Sequence, residues 1–311
     1  MKGKHITVLL HETVDSLCIK AQGTYVDCTL GGGGHSELIC KELGESGRLI
    51  GIDQDTYALE RASARLAPYL CEKVFVHDSF FNLDRILKEN APDGVDGIIF
   101  DLGVSSFQFD DADRGFSYHN DGPLDMRMDR SAALMAADIV ATYDKAELVR
   151  VLKEFGEERF AGRIADRIIT QREKEPIVTT LALSDIVRGA YPAKERYKEK
   201  HPARKTFQAL RIEVNHELDY LEDALAAGIH HLRPGGRMSV ITFHSLEDRL
   251  VKQYFKKCEH PCTCPPDFPV CICGKKPEIK GITRKPIAPP EEELEINRRA
   301  RSAKLRVIEK R

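Results

Sequence analysis

Short β-rich segments alternate with helical patterns over the first hundred residues of this 311-residue chain, and this alternation limits the possible folds. Helical patterns over 36–43 and 56–69 follow the first two of these segments. Alternation of this kind is typical of a parallel sheet that is covered by helices on both faces. We therefore predict an α/β fold with strands over 24–28, 48–53, 73–77 and 97–101.

The alternation stops after Asp101. Residues 104–129 are rich in Asp, Gly and Phe, which predicts a long loop, and residues 136–190 have helical periodicity. From Phe207 to Leu232, apolar residues recur every three or four positions, which predicts one long helix. Pro234-Gly235-Gly236 is expected to end that helix. A loop as long as 104–129 in a compact domain is usually functional.

The sheet pattern returns in the last third of the chain, where strands are predicted over 237–243 and 303–308. The two ends of the chain therefore form one domain, and the helical stretch between them is an insertion. We expect an α/β domain made of 1–105 and 206–311 and an inserted, mainly helical domain over 106–205.

The composition limits the class of protein. Apolar residues make up 42% of the chain and charged residues 31%, which is ordinary for a soluble globular protein of about two domains. No stretch reaches the roughly 18 apolar residues of a membrane span, and the N-terminus lacks the apolar core of a signal peptide. We expect a cytoplasmic protein with no membrane partner, and in a reducing compartment its nine cysteines do not imply disulfides.

Charge is distributed unevenly, although the net charge is only −2. The segment 188–211 holds eight Lys/Arg and two Glu, and the segment 274–311 holds twelve Lys/Arg and six Glu. Segregated positive charge suits a polyanionic partner such as nucleic acid. Two solvated charged faces give the same pattern, so charge alone leaves both interpretations open.

A glycine-rich turn, V-D-C-T-L-G-G-G-G-H-S, joins the first predicted strand to the first helix. Glycines here let the backbone approach a ligand closely at the carboxyl edge of the sheet. Asp53 lies twenty residues beyond Gly33 and ends the second strand. A carboxylate at this place can accept hydrogen bonds from both ribose hydroxyls of an adenosine group. The pattern predicts an adenosine-containing cofactor, either NAD or S-adenosylmethionine.

Two residues favour S-adenosylmethionine over NAD. The dinucleotide fingerprint G-x-G-x-x-G requires glycine where this chain has Ser36. Asp27, just before the turn, opposes a pyrophosphate and suits an ammonium group. The segment from Asp101 to Ser106, D-L-G-V-S-S, is expected at the same edge of the sheet. It lacks the prolines of amino-directed DNA methyltransferases, so it leaves the methyl acceptor open.

A cysteine cluster lies in the segment C-E-H-P-C-T-C-P-P-D-F-P-V-C-I-C-G. Two C-x-C pairs within it offer four thiolates for a structural zinc site on a short proline-rich loop. Cys258 and His260 are competing ligands, and a reduced or oxidised loop without metal is the alternative. The four predicted ligands are Cys262, Cys264, Cys271 and Cys273.

Longer motifs, which run from about His5 to Arg306, match one family. They are T-V-L-L-H-E-T-V-D, D-C-T-L-G-G-G-G-H-S, D-L-G-V-S-S-F-Q, R-G-F-S-Y, D-G-P-L-D-M-R-M-D, F-Q-A-L-R-I-E-V-N-H-E-L, I-T-F-H-S-L-E-D-R and R-R-A-R-S-A-K-L-R. With these motifs the chain resembles the bacterial small-subunit ribosomal RNA cytosine-N4 methyltransferases, the RsmH/MraW family.

The resemblance implies a class I, Rossmann-like methyltransferase sheet with an inserted helical domain. It also implies methyl transfer from S-adenosyl-L-methionine to N4 of a cytidine in the decoding region, with the small ribosomal subunit and its RNA as partners. Whether the protein is a monomer or a homodimer stays open. The cofactor contacts carried over by motif are Gly33, Gly34, His35, Asp53, Phe80, Asp101 and Gln108.

Further residues are expected on the acceptor side. Asp101 is a hypothetical hydrogen-bond acceptor for N4. Four aromatic residues of the long loop can stack on RNA bases or pin the loop to the protein, namely Phe107, Phe109, Phe116 and Tyr118. Phosphate contacts are expected at Arg114, Arg127, 194–205 and 298–306. The alternative functions to methyl transfer are those of an NAD-dependent oxidoreductase and of a non-catalytic ribosome-binding or assembly protein.

Overall fold

The computed structural model describes residues 6–104, 106–196, 201–265, 270 and 272–311, except for the side chains of residues 106, 107 and 298. The chain divides into two compact units. Unit 1 comprises Met1–Gly103 with Leu218–Arg311, and unit 2 comprises Val104–Glu217.

Within the described residues, unit 1 contains one seven-stranded sheet in the order β3-β2-β1-β4-β5-β7-β6. The strands from β3 to β5 are parallel, and β7 is antiparallel to both of its neighbours. The predicted α/β class is therefore confirmed. The strands are β1 Thr24–Asp27, β2 Arg48–Asp53, β3 Glu72–His77, β4 Val95–Asp101, β5 Leu232–Thr242, β6 Ile279–Gly281 and β7 Lys304–Lys310.

Helices cover both faces of this sheet in unit 1 and form most of unit 2. Among the described residues, no helix combines the length and the apolar character that a membrane crossing requires. The helices are α1 Leu10–Ser16, α2 Gly34–Glu42, α3 Thr56–Leu66, α4 Leu83–Asn90, α5 Ser106–Asp110, α6 Ala136–Thr142, α7 Lys145–Glu154, α8 Ala161–Arg172, α9 Thr180–Ala190, α10 Arg204–Asn215, α11 Leu221–His231, α12 Ser245–Glu259 and α13 Glu291–Ile296.

Two hydrophobic cores sandwich the sheet because successive side chains of a strand point to opposite faces. Val26 and Ile98 lie in a core with α4, α11 and α12, whereas the preceding Tyr25 and the following Ile99 lie in the core with α1, α2 and α3. Both faces of the strands are therefore apolar, as expected for a parallel sheet. In β1, β2 and β4, aspartate side chains lie at the carboxyl ends of the strands, where a ligand site can form.

Unit 2 has its own core, formed by α6 to α10 together with part of the preceding loop. The helical prediction for 136–190 is confirmed by α6, α7, α8 and α9. The predicted long loop over 104–129 contains only α5 and a 3₁₀ turn, Ala112–Arg114. Phe116, Leu124 and Met126 from this loop are buried in the core, so the loop is a packed part of unit 2.

The single long helix predicted from Phe207 to Leu232 is wrong. His216 adopts the left-handed conformation, with φ +53°, and ends α10, and α11 begins only at Leu221. A left-handed residue satisfies the last helical carbonyls but turns the chain out of the helix. Because α10 packs in the core of unit 2, the second domain boundary lies at Leu218 and not at 206.

Candidate active site

Three neighbouring strands, β2, β1 and β4, each end in an aspartate at the carboxyl edge of the sheet. Their last residues are Asp53, Asp27 and Asp101. The strand order reverses between β1 and β4, and the crevice outside such a reversal is where ligands bind in open α/β sheets. We refer to the three aspartates, with the turn 31–35, as the cofactor edge.

Asp53 is held by backbone donors on both sides. Its Oδ2 accepts a hydrogen bond from Gly31 N at 2.7 Å, and its Oδ1 accepts one from Asp55 N at 2.9 Å. Burial raises the pKa of Asp53 in spite of these bonds. Each carboxylate oxygen has a further lone pair, so the group can still accept hydrogen bonds from a diol.

Asp27 is buried beneath the turn. Its Oδ2 accepts a hydrogen bond from Ser36 Oγ at 2.7 Å, and its Oδ1 accepts one from Thr29 N at 3.2 Å. Burial raises the pKa of Asp27 to about 6, and the nearby charge of Asp53 contributes. The hydroxyl of Ser36, which stands where the dinucleotide fingerprint has glycine, therefore anchors the turn to the end of β1.

Asp101 has the most perturbed carboxyl group of the three. Its side chain is 26% exposed, yet its Oδ1 is buried and has no hydrogen-bond partner among the described residues. Burial raises the pKa of Asp101 to about 8, and the charges of Asp27 and Glu247 add to the effect. A buried oxygen without a partner, in a negative environment, suits a ligand that brings a donor or a positive charge.

The side chain of His35 lies beside Asp101. Its Nε2 is 3.0 Å from the carbonyl oxygen of Val8, and its Nδ1 is 3.8 Å from Asp101 Oδ2. Since a carbonyl oxygen only accepts, Nε2 carries a proton in this arrangement. The buried ring therefore lies beside the carboxyl group of Asp101 at a distance longer than a hydrogen bond, a proximity that the motif alone did not reveal.

The glycine-rich turn places a helix N-terminus at the same edge. Gly33 has φ +71° and precedes α2, and no side chain caps the N-terminus of this helix. A Cβ at Gly33 would lie 3.2 Å from Ala62 Cβ, so both conformation and space favour glycine. The first backbone N–H groups of α2, which include those of Gly34 and His35, have no acceptor within the helix and can bind an anionic group.

Phe80 follows β3, one strand beyond Asp53 in the sheet. Its ring packs edge-on against Phe100 of β4, with centroids 5.7 Å apart, and against Phe81 at 4.8 Å. The ring is partly buried and packs against the sheet core that contains residues of α4, α11 and α12. It is therefore fixed in position and offers an apolar surface.

Gln108 belongs to unit 2, where it lies in α5 and is buried.

The four aromatic residues that were predicted to stack on RNA or to pin the long loop differ in burial. Phe116 is buried in the core of unit 2, and Phe109 and Tyr118 pack partly against that core. The side chain of Phe107 lies outside the described residues. Pinning the loop to the protein is therefore the role of Phe116.

The predicted phosphate contacts at Arg114 and Arg127 are wrong. Arg114 is buried, and its guanidinium donates to the carbonyl oxygens of Arg127 and Met128 at 3.0 and 2.8 Å. Arg127 pairs with Asp125 at 2.7 Å and donates to the carbonyl oxygens of residues 130 and 132. Both guanidinium groups satisfy groups of the loop itself, so neither faces a phosphate.

Some cations of the two basic segments are bonded within the protein, and others are exposed. In 194–205, Arg196 donates to two backbone carbonyl oxygens and Lys205 to one, whereas Lys194 and Arg204 are exposed. Lys198 and Lys200 lie outside the described residues. At the C-terminus, Lys304 and Arg306 both pair with Asp248, at 2.9 and 2.8 Å, and Arg299 and Arg301 are exposed.

A cluster of rings in unit 2 was not expected from the sequence. Tyr118 stacks on His201 with centroids 4.9 Å apart and an interplanar angle of 17°. His119 is exposed and lies 4.5 Å from Tyr118 and 5.3 Å from His201. We call these three residues the ring cluster. Tyr118 and His201 are far apart in the sequence, so only the fold brings them together.

The helix α12 begins with a capping box: His244 Nδ1 accepts from Glu247 N, and Glu247 Oε2 accepts from His244 N. The next residue, Asp248, pairs with Lys304 and Arg306 of β7. Glu247 is thereby buried near the cofactor edge, where its charge affects the pKa of Asp101.

Three of the four predicted zinc ligands converge. The Sγ atoms of Cys262, Cys264 and Cys273 all lie within 4.8 Å of one another. Cys271 lies outside the described residues.

Relatives of known name match the chain along its whole length. A protein of Clostridium botulinum (strain Kyoto / Type A2) named ribosomal RNA small subunit methyltransferase H is 57% identical over 310 residues, which covers 100% of each chain. A protein of the same name from Carboxydothermus hydrogenoformans is 54% identical and covers 100% of this chain and 99% of the relative. A solved structure described as an rRNA methylase from Streptococcus thermophilus is 13% identical over 99% of each chain, with a TM-score of 0.42.

The model of the MraW methylase family matches residues 2–311. Together with the identity to full-length relatives, this match confirms the resemblance carried by the sequence motifs. The sheet of unit 1 accordingly has the class I methyltransferase fold. The chain belongs to the MraW methylase family.

Proposed function

We propose that this protein transfers a methyl group from S-adenosylmethionine to N4 of a cytidine in the decoding region of small-subunit ribosomal RNA. The observation that carries the proposal is the buried Oδ1 of Asp101, which has no hydrogen-bond partner among the described residues, at a sheet edge that also holds Asp27 and Asp53. Each of the three carboxyl groups has a raised pKa, so the edge favours a positively charged ligand.

The residues of the cofactor edge fit S-adenosylmethionine. Asp101 can accept a hydrogen bond from the ammonium group of the methionine end, and the N-terminus of α2 can receive its carboxylate. Asp53 can accept from the ribose hydroxyls, and the Phe80 ring offers a surface for the adenine. Gln108 is proposed for the methionine end on the basis of its motif, since it lies in unit 2.

The same edge disfavours NAD. A pyrophosphate carries two negative charges, and like charges at short range raise the free energy of binding. Asp27 lies directly under the glycine turn, where a dinucleotide places its pyrophosphate. The negative charge of Asp27 in the structure therefore supports S-adenosylmethionine over NAD, the same cofactor that Ser36 and Asp27 favoured in the sequence.

For the acceptor, support comes from the relatives and from the charge of unit 2. The relatives are named for methylation of ribosomal RNA of the small subunit, and the motifs of this chain resemble those of cytosine-N4 enzymes. Lys194 and Arg204 are exposed, and the charge of Arg204 affects the pKa of Tyr118. A cation beside stacked rings suits an unpaired nucleotide, whose base stacks while its phosphate pairs.

The chemical problem is the weak nucleophilicity of N4, because its lone pair is delocalised into the cytosine ring. S-adenosylmethionine, when bound, supplies a methyl group activated by a positively charged sulfur. Asp101 in its ionised form can accept a hydrogen bond from an N4 proton, which favours the pyramidal nitrogen that attacks.

The protonation state of Asp101 links the binding of S-adenosylmethionine to the binding of the cytidine. With a pKa of about 8, the carboxyl group is largely protonated at neutral pH when the edge carries no cation. A bound cation favours the carboxylate, because opposite charges at short range lower the pKa of an acid. The acceptor for N4 is thereby formed when the methyl donor binds. Asp101 is our candidate to take the proton that N4 loses after the transfer.

Methylation of purified small subunits and of free ribosomal RNA tests the proposal, with labelled S-adenosylmethionine and mass spectrometry of the digested nucleosides. We expect N4-methylcytidine in one of the two substrates. Methylation of another base or atom would contradict the acceptor assignment. Binding of NADH without binding of S-adenosylmethionine would contradict the cofactor assignment, and intact cofactor binding without transfer to either substrate would favour a non-catalytic assembly protein.

A further inference from the structure

The segment 260–277, which we call the cysteine loop, connects α12 to β6. The base of the loop is fixed to unit 1, because Glu278 N donates to the carbonyl oxygen of Cys258 at 3.1 Å and Gly281 N donates to Glu259 Oε1 at 2.9 Å. Between these bonds, the described part of the loop contains no helix or strand. Regular secondary structure therefore does not hold the described part of the loop.

A hydrophobic core does not hold the described part of the cysteine loop. Val270 and Ile272 are 70% and 75% exposed, which is unusual for large aliphatic side chains. The adjacent Lys275 and Lys276 are exposed as well. Apolar burial, which stabilises most loops on a protein surface, is therefore missing from these residues of the loop.

Thiol groups converge in the loop instead. Cys273 Sγ lies 3.8 Å from Cys262 Sγ, and Cys264 Sγ belongs to the same group, within 4.8 Å. Ile272 N donates to Cys264 Sγ at 3.4 Å, so the backbone of the second C-x-C pair contacts a thiol of the first. Gly274 follows Cys273 with φ +66°, so the chain turns sharply directly after a clustered thiol.

The spacing of the sulfur atoms fits a tetrahedral metal. Zinc binds thiolates at about 2.3 Å, so two sulfur ligands of one tetrahedral zinc lie about 3.8 Å apart. A disulfide has an S–S distance of about 2.05 Å and joins only two sulfur atoms. The distance between Cys262 and Cys273 matches the first geometry, and the third thiol has no role in the second.

We propose that the cysteine loop binds one structural zinc ion through the thiolates of Cys262, Cys264 and Cys273. Zinc is redox-inert and favours sulfur in closed structural sites. Each thiol releases its proton to solvent as it binds. Cys271, the fourth ligand predicted from the sequence, lies outside the described residues. The ion joins the two sides of the loop, because Cys262 and Cys264 precede the segment 266–269 and Cys273 follows it.

Metal analysis of the untagged full-length protein, purified with a thiol reductant and without chelator, tests the proposal. We expect about one zinc per chain. Cys264→Ser and the double variant Cys262→Ser/Cys273→Ser should contain almost none, whereas Cys18→Ser, which alters an exposed cysteine outside the loop, should retain the wild-type content. Wild-type protein that binds no zinc, even after zinc is added back, would overturn the proposal.

Two further measurements distinguish the site from other states of the thiols. Cobalt added to the metal-free protein should give the absorption of tetrahedral cobalt thiolate, and Cys264→Ser should lose it. Trypsin should cleave after Lys275 more slowly with zinc than after chelation, since the metal closes the loop. An intact mass that is lower by two hydrogen atoms without reductant, in protein free of zinc, would establish a disulfide and contradict the proposal.

Discussion

The cofactor edge and the ring cluster are built in opposite ways. At the cofactor edge, the aspartates come from strand ends that neighbour one another, and backbone N–H groups hold Asp27 and Asp53. In the ring cluster, Tyr118 and His201 from two distant segments stack on one another, and the exposed His119 packs against both rings at a steep angle. The first site consists of buried carboxyl groups with raised pKa values, and the second consists of aromatic rings with the cation of Arg204 nearby.

This difference shows how donor and acceptor can be selected by different physical means. A small charged cofactor is recognised by fixed carboxylates and backbone donors, which lose little entropy on binding. An RNA base is recognised by stacking, and its phosphate by exposed cations. If this division is correct, changes at one site should alter the affinity for one ligand and leave the other almost unchanged.

The largest effect is expected for Asp101→Asn. The amide keeps the shape but removes the negative charge, so the affinity for S-adenosylmethionine should fall about 10- to 100-fold, as for loss of a hydrogen bond to a charged group. Calorimetric titration measures this change. In the wild type, the affinity should rise with pH up to about 8, since the carboxylate is the form that binds a cation. The variant should lack that dependence.

Asp166→Asn is the matched control, because Asp166 is an exposed carboxylate in unit 2 that pairs with Lys145. Its affinity for S-adenosylmethionine should equal that of the wild type. An Asp101→Asn variant that binds the cofactor and methylates RNA at the wild-type rate would remove Asp101 from both proposed roles.

A smaller effect is expected for His119→Ala in the ring cluster. Loss of one stacking surface should raise the KM for the RNA substrate about 5- to 50-fold, whereas the Kd for S-adenosylmethionine should not change. Tyr57→Ala, which removes an exposed aromatic ring from unit 1, serves as the control and should change neither value. Equal losses in His119→Ala and Tyr57→Ala would contradict the assignment of the ring cluster to RNA.

The double variant Lys194→Ala/Arg204→Ala tests the electrostatic part of the acceptor site. We expect the RNA affinity to fall several-fold at low salt and the slope of log K against log salt to become shallower by about 1.4, since each phosphate contact contributes about 0.7. Binding is measured by fluorescence anisotropy over a range of salt concentrations. Lys88→Ala provides the control, because Lys88 is an exposed cation that pairs with Asp84. An unchanged slope in the double variant would show that these cations face solvent.

The smallest effect concerns stability. Because the pKa of Asp101 is raised to about 8 in the folded protein, the folded state binds more protons than the unfolded chain between about pH 4 and pH 8. The free energy of unfolding therefore falls as the pH rises through this window. Without cofactor, Asp101→Asn should melt at a higher temperature than the wild type at pH 8, and the difference should shrink at pH 5. The reverse order in calorimetry would contradict the raised pKa.

The sequence predicted the cofactor edge well because its determinants are local. Strand periodicity located β1, β2 and β4, and the aspartate at the end of each strand lies at the same edge once the strands are parallel. The glycine turn required no knowledge of distant contacts. What local patterns could not show was the environment of each carboxyl group, such as the approach of His35 to Asp101.

The predictions that failed concern residues whose structure depends on tertiary contacts. The periodicity from Phe207 to Leu232 suits one helix, yet His216 ends α10, because α10 belongs to the core of unit 2. Arg114 and Arg127 have the residue type of a phosphate ligand, but the carbonyl oxygens of their own loop occupy them. Residue type indicates what a side chain can bind, and only the fold shows what it does bind.

The pairing of β4 with β5 has a consequence for the order of folding. Asp101 and Ile241, which are register partners in these strands, are separated by about 140 residues, and all of unit 2 lies between them. During synthesis, β4 therefore has an unpaired edge until the last third of the chain leaves the ribosome, whereas unit 2 is already complete. Contacts this distant in sequence form slowly, so completion of the sheet should limit the folding rate.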